Sequence, residues 1–200
     1  MLSRVTSSVM VLAALILLGC GSEDGAAAGL LGEVHDVEPP DRGMGRLEVA
    51  GEVFDFELDG CRLEVSVDET GRSLELGLGG PGEREDGREY LVGVNRTADD
   101  YEGVQSHEGE HINILIAAEP GGDVDGEAPP AKLDFGRRGS LEDRTQGDQP
   151  AVRANEDGLV TARDVELELE RDTSGLDGLT GGQASLVALC HAEDVQVDAG

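Results

Sequence analysis

The fold is decided by one stretch, FDFELDGCRLEVSVD, which runs from Phe54 to Asp68. Apolar and polar residues alternate along it on both sides of Gly60, and acids occupy most of the polar positions. A period of two is typical of a β-strand with one buried and one solvated face. We therefore expect antiparallel strands here, whose carboxylates form the wet side of a sheet and not a catalytic cluster.

The same alternation recurs along the chain and defines the fold class. It is present at residues 74–78, 90–94, 112–116 and 165–169, with a further short strand expected at 132–135. Asp157-Gly158 is a favoured two-residue turn for a hairpin over residues 151–170. Residues 185–190 are apolar on both faces, as in a covered central strand. The sequence predicts a mainly β domain over residues 46–192, an antiparallel β-sandwich or half-open barrel of about seven to nine strands.

Residues 1–19 have the layout of a secretory signal peptide. Arg4 precedes an apolar run from Val9 to Leu18, which is shorter than the about 20 residues that a membrane-spanning helix needs. The run ends in Leu17-Leu18-Gly19-Cys20, which resembles the lipobox of bacterial lipoproteins. The resemblance implies cleavage before Cys20, a lipid on Cys20, and attachment to a membrane of the cell envelope (the outer one where there are two). The alternative is an ordinary signal peptide with a coincidental cysteine.

The charge of the chain restricts its partners. Acids outnumber lysine and arginine 43 to 15, which gives a net charge of −28. Removing residues 1–19 takes away the one charge of Arg4 and leaves −29. Such a charge repels nucleic acid, so we expect no nucleic-acid partner. The acid excess is also typical of a salty habitat, where counter-ions screen the repulsion.

The remaining cysteines form a candidate disulfide. With Cys20 assigned to lipid, Cys61 and Cys190 are the only pair left. An exported protein meets an oxidising compartment in which disulfides form and persist. We therefore expect a Cys61–Cys190 disulfide, and the alternative is two buried free thiols.

Both ends of the mature chain lack the strand pattern. Residues 20–45 are small, acidic and rich in glycine and alanine, which favours a flexible tether between the lipid and the domain. Residues 193–200 are expected to form a disordered tail.

One motif suggests catalysis. His107-Glu108-Gly109-Glu110-His111 matches the H-E-x-x-H pattern, in which a helix brings both histidines to zinc and the glutamate acts as general base. Gly109 and the β-branched alternation that begins at Ile112 favour a strand instead, with the two Cα atoms about 13 Å apart. We expect no catalytic residues and no cofactor. A zinc-dependent hydrolase that uses His107, Glu108 and His111 is the alternative.

A second segment matches a cation-binding motif only in part. Residues 123–127 read DVDGE and have only the first two ligand spacings of a calcium loop. We interpret this segment as a solvated loop, with loosely bound cations as the alternative.

The order of features resembles the mycobacterial 19-kDa lipoprotein-antigen family. The matching pieces are residues 49–51, Cys61, the strand at 74–78, and residues 155–160 and 185–190. The resemblance implies a surface-displayed, non-enzymatic envelope protein. The sequence thus predicts a lipid-anchored protein with a binding or structural role toward an envelope partner or ligand. A carrier of divalent cations or small ligands is a further alternative.

Overall fold

The described residues of the computed structural model are 23–126, 128–141, 149–171 and 180–199. They form one strongly curled sheet of ten to eleven strands, which has the shape of a half-barrel. The prediction of a mainly β, half-open barrel is confirmed. The strands are slightly more numerous than the seven to nine expected.

The elements follow one another in a simple order. They are the helix α1 (Glu23–Leu31), the strands β1 (Met44–Val49), β2 (Glu52–Glu57), β3 (Gly60–Asp68), β4 (Gly71–Glu83), β5 (Glu89–Tyr101), β6 (His107–Ile116), β7 (Ala131–Gly139), β8 (Val152–Ala154), β9 (Leu159–Arg171) and β10 (Gly182–Leu189), a 3-10 turn (Ala192–Asp194), and β11 (Val195–Ala199). None of the helices in these residues is long and apolar enough to span a membrane.

The sheet is a meander at its centre, and the end that carries β2 curls back toward β4. Its strand order is β11-β3-β4-β5-β6-β7-β9-β10-β1-β2, and β8 pairs with β9 outside this path. All the pairs are antiparallel except that of β11 with β3. The end of β2 returns to β4, where the N–H of Asp59 donates to the carbonyl of Gly79 at 3.2 Å. Gly80 is required at this seam, because a Cβ there would collide with the backbone of Glu57.

The alternation places the core inside the curl, as expected. Along β2 and β3, Phe54, Phe56, Leu63 and Val65 are buried, whereas their acidic neighbours are exposed or half-buried. The rest of the core is mostly leucine, valine, isoleucine and alanine from every long strand. The carboxylates of these strands are therefore the solvated half of the pattern.

The expected disulfide joins two distant parts of the sheet. Cys61 in β3 and Cys190 just after β10 are bridged, with 5.8 Å between their Cα atoms and a sequence separation of 129. Closing a loop of this length removes entropy from the unfolded chain, which is worth about 4–5 kcal/mol in the chain-entropy account. The bridge therefore stabilises a domain that has few aromatic residues.

The predicted hairpin is present, but its turn is one residue longer than expected. The N–H of Asn155 donates to the carbonyl of Leu159, and the N–H of Gly158 donates to the carbonyl of Asn155, both at 3.0 Å. Three residues thus lie between the last paired positions, and Gly158 supplies the positive φ, 85°, that such a loop needs.

The structure corrects the expected tether and tail. Within residues 20–45, Glu23–Leu31 form α1, and its Ala27, Leu30 and Leu31 are buried in the core. In the expected tail of residues 193–200, Val195–Ala199 form β11 along the edge of β3. Both segments gain order by covering the core or a strand edge, which local composition does not reveal. The signal peptide of residues 1–19 and Cys20 lie outside the described residues.

Candidate functional site

The HEGEH segment lies on β6 and is a strand, not a helix. Its alternation sends His107 and His111 to the outer face of the sheet and buries Glu108 and Glu110 inside. Glu108, the general base of the zinc motif, therefore faces away from both histidines. A strand holds the Cα atoms of the two histidines about 13 Å apart. Within the described residues, no three histidine, cysteine or acidic side chains are grouped to hold a metal. The structure does not bring His107, Glu108 and His111 together as zinc chemistry requires.

The two glutamates belong instead to a charge network formed by the buried Arg96, Glu108 and Glu110 and the exposed Arg137. Arg96 is fully buried, and its Nε lies 3.3 Å from Oε1 of Glu108. Glu110 forms an ion pair with Arg137, and its Oε1 accepts the N–H of Val152 at 2.9 Å. The network thus attaches β8 to the inner face of the central strands.

Arg96 also reaches the end of α1. Its guanidinium donates to the carbonyl of Leu31 at 3.0 Å and to that of Leu30. These carbonyls belong to the last turn of the helix, where a cation is favoured by the helix dipole. Burial lowers the pKa of Arg96 to about 10, an effect that the nearby Glu110 carboxylate opposes. The side chain therefore stays charged at neutral pH, and its role is structural.

The outer face of β5, β6 and β7 carries a groove of about 690 Å³, which we call the outer groove. Its lining residues are Asn95, Thr97, His107, Gly109, Glu110, His111, Asp134, Gly136, Arg137 and Arg138. Strand register aligns them in rows: Asn95 lies opposite His111, which lies opposite Gly136. The next row on one side runs from Thr97 through Gly109 to Arg138. Each of these two rows contains a glycine, which leaves room above the backbone between the polar side chains.

Asp134 is already neutralised at one side of the outer groove. Its Oδ1 lies 2.6 Å from Nε2 of His111 and 3.0 Å from Nζ of Lys132. Lys132 also pairs with Glu170 at 2.7 Å, and hydrogen bonds to Glu170 and Asp134 raise its pKa. The carboxylate of Asp134 fixes the histidine ring and is not an open cation ligand.

The other side of the outer groove carries two basic side chains without a described ion pair. Arg138 is exposed and makes no ion pair with another described residue, and the same holds for His107. Sequence reasoning missed Asn95, Thr97 and Arg138 as site residues. The available signal was that uncharged polar residues and glycines replace the acids at the outward positions of β5 and β6.

The candidate calcium segment forms a turn. The N–H of Asp125 donates to Oδ1 of Asp123 at 2.9 Å, and the N–H of Gly126 donates to the carbonyl of Asp123 at 3.1 Å. Glu127 lies outside the described residues. A weak cation site there stays a prediction.

No family model, curated protein or solved structure matches this chain. The resemblances to the lipobox and to the 19-kDa antigen family therefore stay predictions.

Proposed function

We propose that this protein is a lipid-anchored protein of the cell envelope that acts by binding and not by catalysis. The observation that carries the proposal is the Cys61–Cys190 disulfide, because structural disulfides persist in oxidising compartments outside the cytoplasm. The apolar run that ends at Cys20 supplies the matching export and lipidation signal.

The anchor in this proposal holds the half-barrel close to the bilayer. Only Gly21 and Ser22 separate Cys20 from the first residue of α1. Three residue steps span at most about 11 Å even when fully extended. The helix thus replaces the long tether that composition suggested, and the lipid sits near its N-terminal end.

The binding role is favoured over the two alternatives by the placement of side chains. A zinc hydrolase needs His107, Glu108 and His111 on one side of an element, and β6 places the glutamate on the opposite face from the histidines. A carrier with its ligand inside the half-barrel competes with α1 and the apolar core, which occupy the described interior. The outer groove, in contrast, is open to solvent and rich in hydrogen-bonding groups.

The lipid anchor is tested with Cys20→Ser. We expect the wild-type protein in the membrane fraction, extracted only by detergent, and the variant in the soluble fraction. Mass spectrometry of the wild-type N-terminal peptide should show an acylated cysteine. Ser22→Ala is the matched control, which changes a neighbouring residue and leaves the protein membrane-bound. Equal membrane retention of Cys20→Ser would contradict the anchor.

A further inference from the structure

The outer groove lacks the acid excess of the rest of the molecule. Acids outnumber lysine and arginine almost three to one in the whole chain. Among the residues that line the groove, in contrast, two arginines, Arg137 and Arg138, stand beside two histidines and only two acids, Glu110 and Asp134. Local cations in an otherwise anionic molecule favour an anionic ligand.

Neither acid of the outer groove cancels this preference. Glu110 directs its carboxylate inward, to the N–H of Val152 and to Arg137 and Arg96. Asp134 is held between His111 and Lys132. Arg138 is left as the exposed guanidinium, with no described ion pair. A guanidinium presents parallel N–H donors that match the two oxygens of a carboxylate.

The remaining lining side chains suit hydroxyl groups. Asn95 offers an amide donor and acceptor, and Thr97 offers a hydroxyl that is both. Gly109 and Gly136 lie beside them across the strands, so a ligand can approach the backbone between the polar side chains. The described lining contains no aromatic or large aliphatic side chain, which disfavours an apolar ligand. A volume of about 690 Å³ lies in the usual range for a small-molecule site.

We propose that the outer groove binds a polyhydroxylated carboxylate, namely an acidic sugar, with Arg138 on the carboxylate and Asn95 and Thr97 on the hydroxyls. This inference rests on the binding role proposed above and names its ligand class. An acidic sugar can be free or part of a surface polysaccharide. Both sources present the same carboxylate and hydroxyl groups to the groove.

Calorimetric titration of the intact lipidated protein in detergent tests the proposal. Sodium glucuronate is the ligand, and glucose, sodium acetate and inorganic phosphate are the comparison compounds. We expect glucuronate to bind at least tenfold more tightly than any of the three, because each lacks the carboxylate, the hydroxyls or both. A galacturonate trisaccharide that binds more tightly than the monomer indicates a polysaccharide source, and equal binding per sugar indicates free sugar acids.

Substitutions locate the site. Arg138→Gln should weaken glucuronate binding at least tenfold. Asn95→Ala should weaken glucuronate binding and leave the weak binding of acetate unchanged. Arg163→Gln is the matched control, because Arg163 is also exposed without a described ion pair but lies outside the groove. Unchanged thermal unfolding of each variant confirms that it is folded.

Two results would overturn the acidic-sugar site. One is glucuronate binding no tighter than glucose or phosphate, and the other is full glucuronate binding by Arg138→Gln. Neither depends on membrane fractionation. If glucuronate does not bind but Cys20→Ser is released from the membrane, the acidic-sugar site is wrong and the lipid anchor stands. If glucuronate binds but Cys20→Ser stays in the membrane fraction, the lipid anchor is wrong and the acidic-sugar site stands.

Discussion

At the scale of single residues, Tyr90 joins the central strand β5 to β2, the strand at one end of the curled sheet. It is buried in β5, and its ring meets that of Phe54 in β2 edge-on, with 5.2 Å between the ring centroids. Its hydroxyl donates to the backbone carbonyl of Asp55. Burial raises the pKa of Tyr90 to about 12, and the carboxylates of Asp55 and Glu52 add to this.

The pKa of Tyr90 predicts a loss of stability at alkaline pH. An unfolded tyrosine has a pKa of about 10. Because the folded state binds this proton more tightly, its stabilising contribution is complete below pH about 10 and is lost as the pH rises toward about 12. We expect the free energy of unfolding, measured with urea at pH 8 and pH 11, to fall more for the wild type than for Tyr90→Phe. Tyr101→Phe is the control, since Tyr101 is only half-buried, and it should keep the wild-type pH dependence. Equal decreases for wild type and Tyr90→Phe would contradict the role of this proton.

The HEGEH residues show what the sequence reveals at this scale and what it does not. The alternation from Ile112 to Ile116 correctly favours a strand, and a strand alone separates Glu108 from the two histidines. The partners of these residues come from other elements. His111 in β6 pairs with Asp134 in β7, and Glu108 in β6 pairs with Arg96 in β5. Both pairs depend on the register between adjacent strands. Local pattern therefore predicts the face of each residue but not its neighbour.

At the scale of elements, α1 is held by Arg96 more than by its own sequence. The helix has nine residues, which is too short to be stable alone in water. Its Leu30 and Leu31 pack into the core, and Arg96 binds the carbonyls of both. We therefore expect α1 to separate from the sheet when this arginine is removed.

Arg96→Met tests this attachment. The substitution removes the buried cation beside Glu108 and leaves Glu110 with Arg137, and breaking a buried ion pair typically costs about 3–5 kcal/mol. Urea unfolding should show a loss of this size, and hydrogen exchange should be faster in α1 and β8 than in β3 or β4. Arg72→Met is the matched control, because Arg72 pairs with Asp100 beside the same helix but is about a third exposed. Its loss should stay below about 1 kcal/mol. Normal protection of the α1 amides in Arg96→Met would contradict the attachment.

The elements that sequence reasoning found and missed differ in one physical respect. The strands from β2 to β6 have clear alternation and pair largely with their neighbours in the chain, so local pattern predicts them. In β11, Val195 and Val197 alternate too, but they pair in parallel with β3, far away in sequence. The helix α1 likewise depends on Arg96, 65 residues away. Both α1 and β11 are stabilised by partners far away in sequence, and they lie in the segments whose composition predicted a tether and a tail.

At the scale of the whole molecule, the net charge of −28 opposes the folded state. Many acids lie at outward-facing strand positions, such as Asp55, Glu75 and Glu166, so folding brings like charges close together on the outer surface of the sheet. Exposed ion pairs such as Arg46–Asp55, at 2.6 Å, add little in return, because each is worth at most about 1 kcal/mol. The fold therefore depends on the apolar core, the disulfide and the screening provided by the medium.

Salt should accordingly stabilise this protein. The screening length falls from about 30 Å at 0.01 M to about 3 Å at 1 M ionic strength, which weakens repulsion among many acids more than it weakens a few short ion pairs. We expect the thermal unfolding temperature to rise steadily with sodium chloride over this range, and to rise equally with choline chloride, because screening does not depend on the identity of the cation. A calcium chloride series at matched ionic strength separates screening from a specific site at residues 123–127, which would add a further increase at low calcium concentration. An unfolding temperature that falls as sodium chloride is added would show that attractive ion pairs outweigh the acid excess, and the role assigned to the carboxylates would then be wrong.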